Sequence, residues 1–492
     1  MQTLPTQTVA IAARAVVARV VTACACAGPL GLASAQPVVD GDAAEWAEIG
    51  NGGEVVAADE HFIYAKLDMG RLINPRAAAV RIEIDADADA STGRLSGGLG
   101  VDLIIQADGG ERGGRWGGPA VLAISEDGRR ETQVMGFEAD LHFAPTFAGE
   151  TYEMRIARSI AQDILPEAGM LSEGTALVRI VSRGESTVHR LELPEASGLR
   201  LESDADLPAK PEGAVRVMSW NVLWGKPMEN PAPFSRVFEA IKPDVVLIQE
   251  WDRGDSTEAD ISGWFTQHAS WATETGESDE GSARAWQTRN NDAWGVAVAT
   301  FHPISGEGGV DVFAPGTRWN FPVRVAAATV ETPAGPLVFG TVHYKCCGSL
   351  GSEEDMRRTL EAKAVNVELQ RLAEETEAIG IVLGGDFNHI GTPKVMDWSV
   401  EGLDADGSDL AIAQASVLGD AALYTFGQPG MNNIRPRLDY ITYPDAMFEA
   451  VNAFVLETSR LSDASLEAMG LRRADSHASD HLPLIVDLLP VE

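Results

Sequence analysis

Between about residue 38 and residue 200, apolar and polar positions alternate in short runs: "HFIYAKLDM", "AAAVRIEID", "VDLIIQA", "YEMRIARS", "ALVRIVSR" and "TVHRLEL". A period of two is what a strand with one buried face requires, and the Gly, Asp and Ser clusters between runs supply turns. This stretch predicts an all-β sandwich. The alternation stops at "ESDADLPAKPEG", residues 202–213, which is polar, carries two prolines and has no period, and so reads as a linker.

From Ala214 the pattern changes. "PFSRVFEAI" sets Phe234, Val237, Phe238 and Ile241 at the spacing of an amphipathic helix. "SEEDMRRTLEAKAVNVELQRLAEETEA" opens on Ser352 with Asp355 three residues on, a variant of the capping box. It predicts a long helix with Met356, Leu360, Ala364, Val367 and Leu372 facing inward. Between the helices lie seven strand candidates: "AVRVMSWNV", "PDVVLIQE", "WGVAVATF", "PLVFGTVHY", "IGIVLGGDFN", "RLDYITY" and "HLPLIVDL". Strands alternating with helices predict an α/β-type domain over 214–492, preceded by the sandwich over 36–201.

The first 35 residues read as an export signal, with Arg14 and Arg19 ahead of "VVTACACAGPLGLASAQ" and cleavage after Ala35. A second reading takes "VTAC" as a lipoprotein box that leaves the chain tethered by lipid at Cys24. Either way the expected location is secreted or periplasmic. No other segment has the ~20 apolar residues of a membrane span. Removal of the signal takes Cys24 and Cys26 with it and leaves the adjacent pair Cys346–Cys347. Such a pair is a strained vicinal disulfide or two thiols, and it cannot tie distant parts of the chain together.

Composition then narrows the function. Of 492 residues, 73 are Asp or Glu against 38 Lys or Arg, a formal net charge of −35. That field disfavours a polyanionic partner such as nucleic acid, although a local basic groove is compatible with it. The polar residues at the strand ends say more. Asn221 ends the first strand, Glu250 the second and His343 the fourth. Asp386 and Asn388 follow the fifth, Asp439 lies within the sixth, and "SDH", with Asp480 and His481, opens the last. Acids and amides at neighbouring strand ends converge on one rim of a sheet, where oxygen donors suit a hard cation such as magnesium. Two histidines add groups that titrate near neutrality. The combination is suited to phosphoryl chemistry, in which a metal neutralises phosphate and activates water.

"MSWNVLWG", "DVVLIQEW", "GTVHYK", "LGGDFN", "RLDYITY" and "SDHLPLIV" occur in the order and approximate spacing of the endonuclease/exonuclease/phosphatase superfamily. Over about 214–490 the chain resembles that superfamily, which implies an α/β four-layer sandwich, two face-to-face sheets with helices outside. The resemblance implies Glu250 as principal metal ligand, with Asn221 assisting and Asp480 completing the environment of Mg2+ or Mn2+. It implies Asp386 orienting or deprotonating water, and Asn388 holding the phosphate or that water. His481 contacts the phosphate and is oriented by Asp439, while His343 binds it from the other side. Which histidine is acid or base stays open. Members of the superfamily often carry a second acid where this chain has Leu223, which removes one ligand for a second ion. The implied substrate is a phosphodiester or phosphomonoester. A secreted deoxyribonuclease-type endonuclease, a sphingomyelinase-like phospholipase and a non-catalytic surface-binding protein stand as alternatives.

Other features have plainer readings beside the functional ones. Trp220, Trp224, Trp264, Trp271 and Trp319 could rim a lipid site, but tryptophans more often fill cores. Arg435 and Arg437 could meet phosphate, or one of them could pair with a nearby carboxylate. "VVDGDAAEW", "HFIYAKLDM" and "RIEIDADADASTG" resemble the opening of family-nine-like carbohydrate-binding modules. That resemblance implies carbohydrate or the cell surface as a partner of the first domain, or a purely spacing role. In "DADADASTG", Asp85, Asp87 and Asp89 offer three carboxylates to calcium, although Ala90 and Ser96 exclude an EF-hand.

Overall fold

The computed structural model describes residues 37–49, 54–73, 80–106, 111–112, 115–116, 120–160, 173–182, 185–197, 202–269, 271, 286–291, 295–305, 310–316 and 320–491. The predicted export signal with Cys24 and Cys26 lies outside the described residues, as does Trp319. Residues Gln36–Glu492 cluster as one compact unit.

The first half is all-β. A four-stranded antiparallel sheet (Val55–Ala58, Phe62–Ile73, Gly149–Ala157, His142–Ala144) faces a six-stranded one. The larger sheet runs Glu131–Val134, Ala120–Ile124, Leu103–Gln106, Val80–Asp85, Gly174–Ser182, Glu185–Leu193. Ile63, Ala65, Leu67 and Met154 of one sheet meet Ile82, Ile84, Leu103, Val178 and Ile180 of the other in a single core. The alternation in the sequence selects which face each strand buries.

The second half holds two mixed sheets. The seven-stranded sheet has Val215–Asn221 at its centre, parallel to Val245–Gln249 and antiparallel to Leu484–Pro490. The six-stranded sheet is built around Gly335–His343, Gly380–Asp386 and Asp439–Tyr443. Val217, Leu247 and Val486 pack against Phe339, Val382 and Ile441 in a shared core. The helix Pro231–Ile241 buries Phe234, Val237, Phe238 and Ile241 on the first sheet, the face its sequence period predicts. The helix Glu353–Glu375 packs on the second, capped by Ser352, whose side chain accepts from Asp355 N.

The inward face of that second helix differs from the expectation. Met356 and Val367 are exposed, at 57% and 67%, while Arg358, Glu361, Ala362, Val365, Leu369 and Leu372 are turned in. The reason is the loop after His343, whose backbone needs partners. Glu361 accepts from Lys345 N at 2.7 Å, and the Arg358 guanidinium donates to the carbonyls of Lys345 and Cys347. Satisfying that loop rotates the helix away from its purely apolar stripe.

Residues 202–213 lie against the second half: Ser203 bridges to Leu461, and Lys210 pairs with Asp244 at 2.8 Å. The two halves also meet across a buried charged seam. Arg155 holds Asp420 through both guanidinium nitrogens, at 2.5 and 2.6 Å. Asp140 meets Arg435 at 3.2 Å and also Arg460, and Arg435 reaches Glu457 at 3.3 Å. Asp140, Arg155, Arg435, Arg460 and Glu457 are at most 2% exposed. Burial alone would raise the Asp140 carboxyl, but the three guanidiniums hold it well below the ordinary carboxylate range.

Candidate active site

Strand pairing carries the site. In parallel register His343 stands beside Asp386, and in antiparallel register Asp386 stands beside Asp439, so three neighbouring strands of one sheet deliver three polar residues at one end. Asp439 begins its strand rather than lying inside it. The other sheet delivers Asn221, opposite Gln249, with Glu250 next in the chain. His481 enters from the loop before Leu484–Pro490, fixed by a bridge to Phe426 and by Trp220 Nε1, which donates to its carbonyl at 2.9 Å. Ser479 Oγ ties the same loop to the Asn221 carbonyl at 2.6 Å.

Gly385 lets these strands come together. Its φ is +128°, and a Cβ there would lie 2.2 Å from the Val342 carbonyl oxygen. Backbone at positive φ in residues other than glycine recurs around the rim, at Leu223 (57°), Trp224 (41°), Glu250 (56°) and Asn388 (45°). Strain of this kind persists only where surrounding contacts impose it, and it concentrates at functional sites.

The side chains converge. His481 Nδ1 is 2.8 Å from Asp439 Oδ2, and its Nε2 is 3.7 Å from Asp386 Oδ2. His343 Nε2 lies 3.6 Å from Glu250 and 3.5 Å from Asp386. Asn221 Nδ2 donates to Asp386 Oδ2 at 3.3 Å, and Asn388 Nδ2 donates to the same oxygen at 3.1 Å. Asp386, Asp439 and His481 offer donor atoms all within 4.8 Å of one another. Asp480 is half-buried and bears on the site through its charge, which raises Glu250.

Electrostatics separates the two histidines. Burial works against the cation of His481, yet the carboxylates of Asp439 and Asp386 outweigh it and push the group up to about 10. His343 is driven well below its ordinary value by burial and by the Arg324 guanidinium, so it is neutral. Burial also pushes Asp386 up to about 7, with the negative charge of Asp439 adding to it and His481 opposing. Glu250 is likewise pushed up to about 7 by burial and Asp480, against His481 and Asn221.

Several contributors have no strand-end signal. Arg324 Nη1 lies 3.1 Å from His343 Nδ1. It sits one residue before Val325, which pairs with Val342, so the hairpin register places it opposite His343, the one sequence feature that points to it. The Thr425 hydroxyl accepts from Asp439 N at 3.0 Å and anchors that strand start. Trp224 is half-buried beside His343, with Arg253 and Arg324 over its ring at 5.5 and 6.0 Å. Trp220, Trp264 and Trp271 are buried in the core and form no rim. Arg435 belongs to the buried seam, while Arg437 lies over Tyr440 and donates to the Ala413 carbonyl. Cys346 and Cys347 are thiols, with Cys347 Sγ donating to Cys346 Sγ at 2.9 Å.

Carboxylates, two histidines in opposite protonation states and an arginine at one end of paired sheets define a hydrolase-type site for an anionic ester. The model of the Endonuclease/Exonuclease/phosphatase family matches residues 218–481, and the chain belongs to that family. Membership supports a hydrolase acting on phosphate esters. No curated protein matches the chain. Among solved structures it is similar to the human Nocturnin catalytic domain with bound sulfate, at 16% identity over 57% of this chain and 97% of that one, TM-score 0.36. It is similar too to sphingomyelinase C from Streptomyces griseocarneus, at 15% identity, 56% and 99% coverage and TM-score 0.34. For a 3'-5' exonuclease from Neisseria meningitidis the figures are 16% identity, 56% and 100% coverage and TM-score 0.35.

Proposed function

We propose that the protein is a divalent-metal-dependent phosphoesterase working by direct attack of water on a phosphodiester or phosphomonoester. The observation that carries this reading is the His481–Asp439 pair set against Asp386, a cation and a raised carboxyl facing one point. One core shared between the two sheets and a helix-lined core on the outer side of each support the reading of a four-layer sandwich.

The residues suit a hard cation. Their donors are carboxylate and amide oxygens, and the buried Asp439 Oδ1 has no hydrogen-bond partner among the described residues. Glu250, with Asn221 and Asp480, would hold Mg2+ or Mn2+. When bound, such an ion neutralises phosphate charge and lowers the pKa of water.

Asp386, with its proton affinity near neutrality, takes the proton of the attacking water. The Nδ2 groups of Asn221 and Asn388 both donate to its Oδ2 and fix the carboxylate. The protonated His481 meets charge developing on phosphate, and Asp439 holds its ring and its proton. Neutral His343, with Arg324 against it, binds the phosphate from the opposite side. The sequence of residues 1–35 supports export, placing this activity outside the cytoplasm or tethered by lipid.

The test is hydrolysis of chromogenic phosphodiester and phosphomonoester substrates by purified protein, with magnesium and with chelator, beside Asp386→Ala. Magnesium-dependent turnover lost in the variant supports the reading and selects the ester class. Absence of turnover on these esters, on DNA and on sphingomyelin by the folded protein overturns it in favour of a surface-binding role.

A further inference from the structure

A second group of carboxylates lies in the first half, built by strands that have no part in the hydrolytic site. Asp85 ends the strand Val80–Asp85, Asp87 follows in the turn, and Asp102 precedes the neighbouring strand Leu103–Gln106. Ile84 pairs with Leu103 in antiparallel register, so one step further Asp85 and Asp102 face each other. Each of Asp85, Asp87 and Asp102 offers an oxygen within 4.8 Å of the others. Asp89, expected from the alternation to be the third member, is turned aside. Its Oδ1 accepts from the Ser91 backbone and hydroxyl at 2.9 and 2.7 Å.

Like charges facing each other across strands destabilise a sheet. Elsewhere in the same sheet the buried acid Glu83 is met by Arg179 at 2.7 Å. Among the described residues Asp85, Asp87 and Asp102 form no ion pair with Lys, Arg or His. Asp85 is 1% exposed, Asp102 6%. Asp85 Oδ2 accepts from Gly100 N at 2.9 Å, and Asp102 Oδ2 accepts from Ala86 N at 2.9 Å. Asp85 Oδ1, fully buried, has no hydrogen-bond partner among the described residues. A buried carboxylate oxygen left without a donor and facing two further carboxylates lacks a positive partner.

We propose that Asp85, Asp87 and Asp102 form a calcium site that joins two strands of the six-stranded sheet in the first half. Every side-chain donor is a carboxylate oxygen and none is nitrogen or sulfur, which selects a hard ion. Calcium accepts irregular sets of six to eight oxygens at roughly 2.3–2.6 Å, whereas magnesium demands near-octahedral geometry. Asp87 is exposed and leaves an open side for entry and for water ligands. The site differs from the spacing "DADAD" taken alone, since the third ligand comes from the adjoining strand.

The experiment is calorimetric titration of the chelator-stripped full chain with calcium chloride up to millimolar concentration. Glu250→Gln serves as background to silence the hydrolytic site, and Asp102→Asn, Asp87→Asn and Asp89→Asn are introduced into it. Binding in the background, weakened at least tenfold by Asp102→Asn and by Asp87→Asn and within twofold in Asp89→Asn, is the expected result. Because Asp87 is exposed, its variant reports on the site even if Asp102→Asn does not fold. No calcium binding in the background, or binding undiminished by Asp87→Asn, overturns the proposal.

Discussion

Asp439 holds His481 through a 2.8 Å contact, and the two residues come from different sheets. Asp439 begins a strand of the six-stranded sheet, while His481 lies just before the last strand of the seven-stranded one. The pair is therefore a gauge of how the two sheets sit on each other, as well as a proton-holding device.

Asp439→Asn removes the charge that keeps His481 protonated. With the cation lost at lower pH, kcat should fall by roughly 10²–10⁴-fold. The alkaline limb of the pH–rate profile should move to lower pH, since the wild-type His481 stays charged to about 10. A profile with an unmoved limb and a uniform loss of rate would show that Asp439 acts only on packing.

Glu250 and Asp386 both hold protons to about pH 7 in the folded chain, against ordinary carboxyl values near 4 when unfolded. The folded state thus binds protons more tightly. The stability they contribute is present below about pH 4 and is lost as pH rises through 7. In chelator the Tm should fall between pH 5 and 8. Magnesium competes with the same protons, so it should raise Tm more at pH 8 than at pH 5. Thermal unfolding at the two pH values, with and without magnesium, checks both signs.

Gly385→Ala places a methyl group 2.2 Å from the Val342 carbonyl in a conformation that alanine resists. The substitution should cost more than about 1–3 kcal/mol and separate Asp386 from His343. Denaturant midpoints and turnover measured on the same preparation should fall together.

Asp140→Asn leaves Arg435 and Arg460 buried beside a neutral amide. Removing one partner of a buried charge network costs about 3–5 kcal/mol. Because the network spans the halves, the far-ultraviolet and tryptophan-fluorescence transitions should shift together. A shift confined to one probe would show that the halves melt separately.

Most of the site could be read from the chain because it is made of strand ends, and a strand end is local. The step from Asp386 to Asn388, or from Asp480 to His481, is visible without knowing what lies beside it. Arg324 and Asp102 were not legible this way, since each gains its role from the strand across from it. The long helix misled for a related reason. Its apolar positions alone favour Met356 and Val367, but the carbonyls of Lys345 and Cys347 call Arg358 inward. Residues 202–213 look like a free tether by composition, and only the distant Leu461 and Asp244 show where they rest. The charge seam was likewise invisible, because Asp140 and Arg460 lie 320 positions apart in the sequence.

That seam bears on how the molecule can be cut or recombined. Severed after residue 201, the second half would present Arg435, Arg460, Glu457 and Asp420 to water on a surface shaped for Asp140 and Arg155. The segment bearing Arg435 runs directly into Asp439, and Arg437 N, two residues before Asp439, donates to the Thr146 hydroxyl at 2.8 Å. The first half is thus a fixed wall of the enzyme, ill suited to being transplanted onto another chain as an attachment module. A lineage that exchanged it would have to supply both Asp140 and Arg155 anew, the partners of Arg435, Arg460 and Asp420.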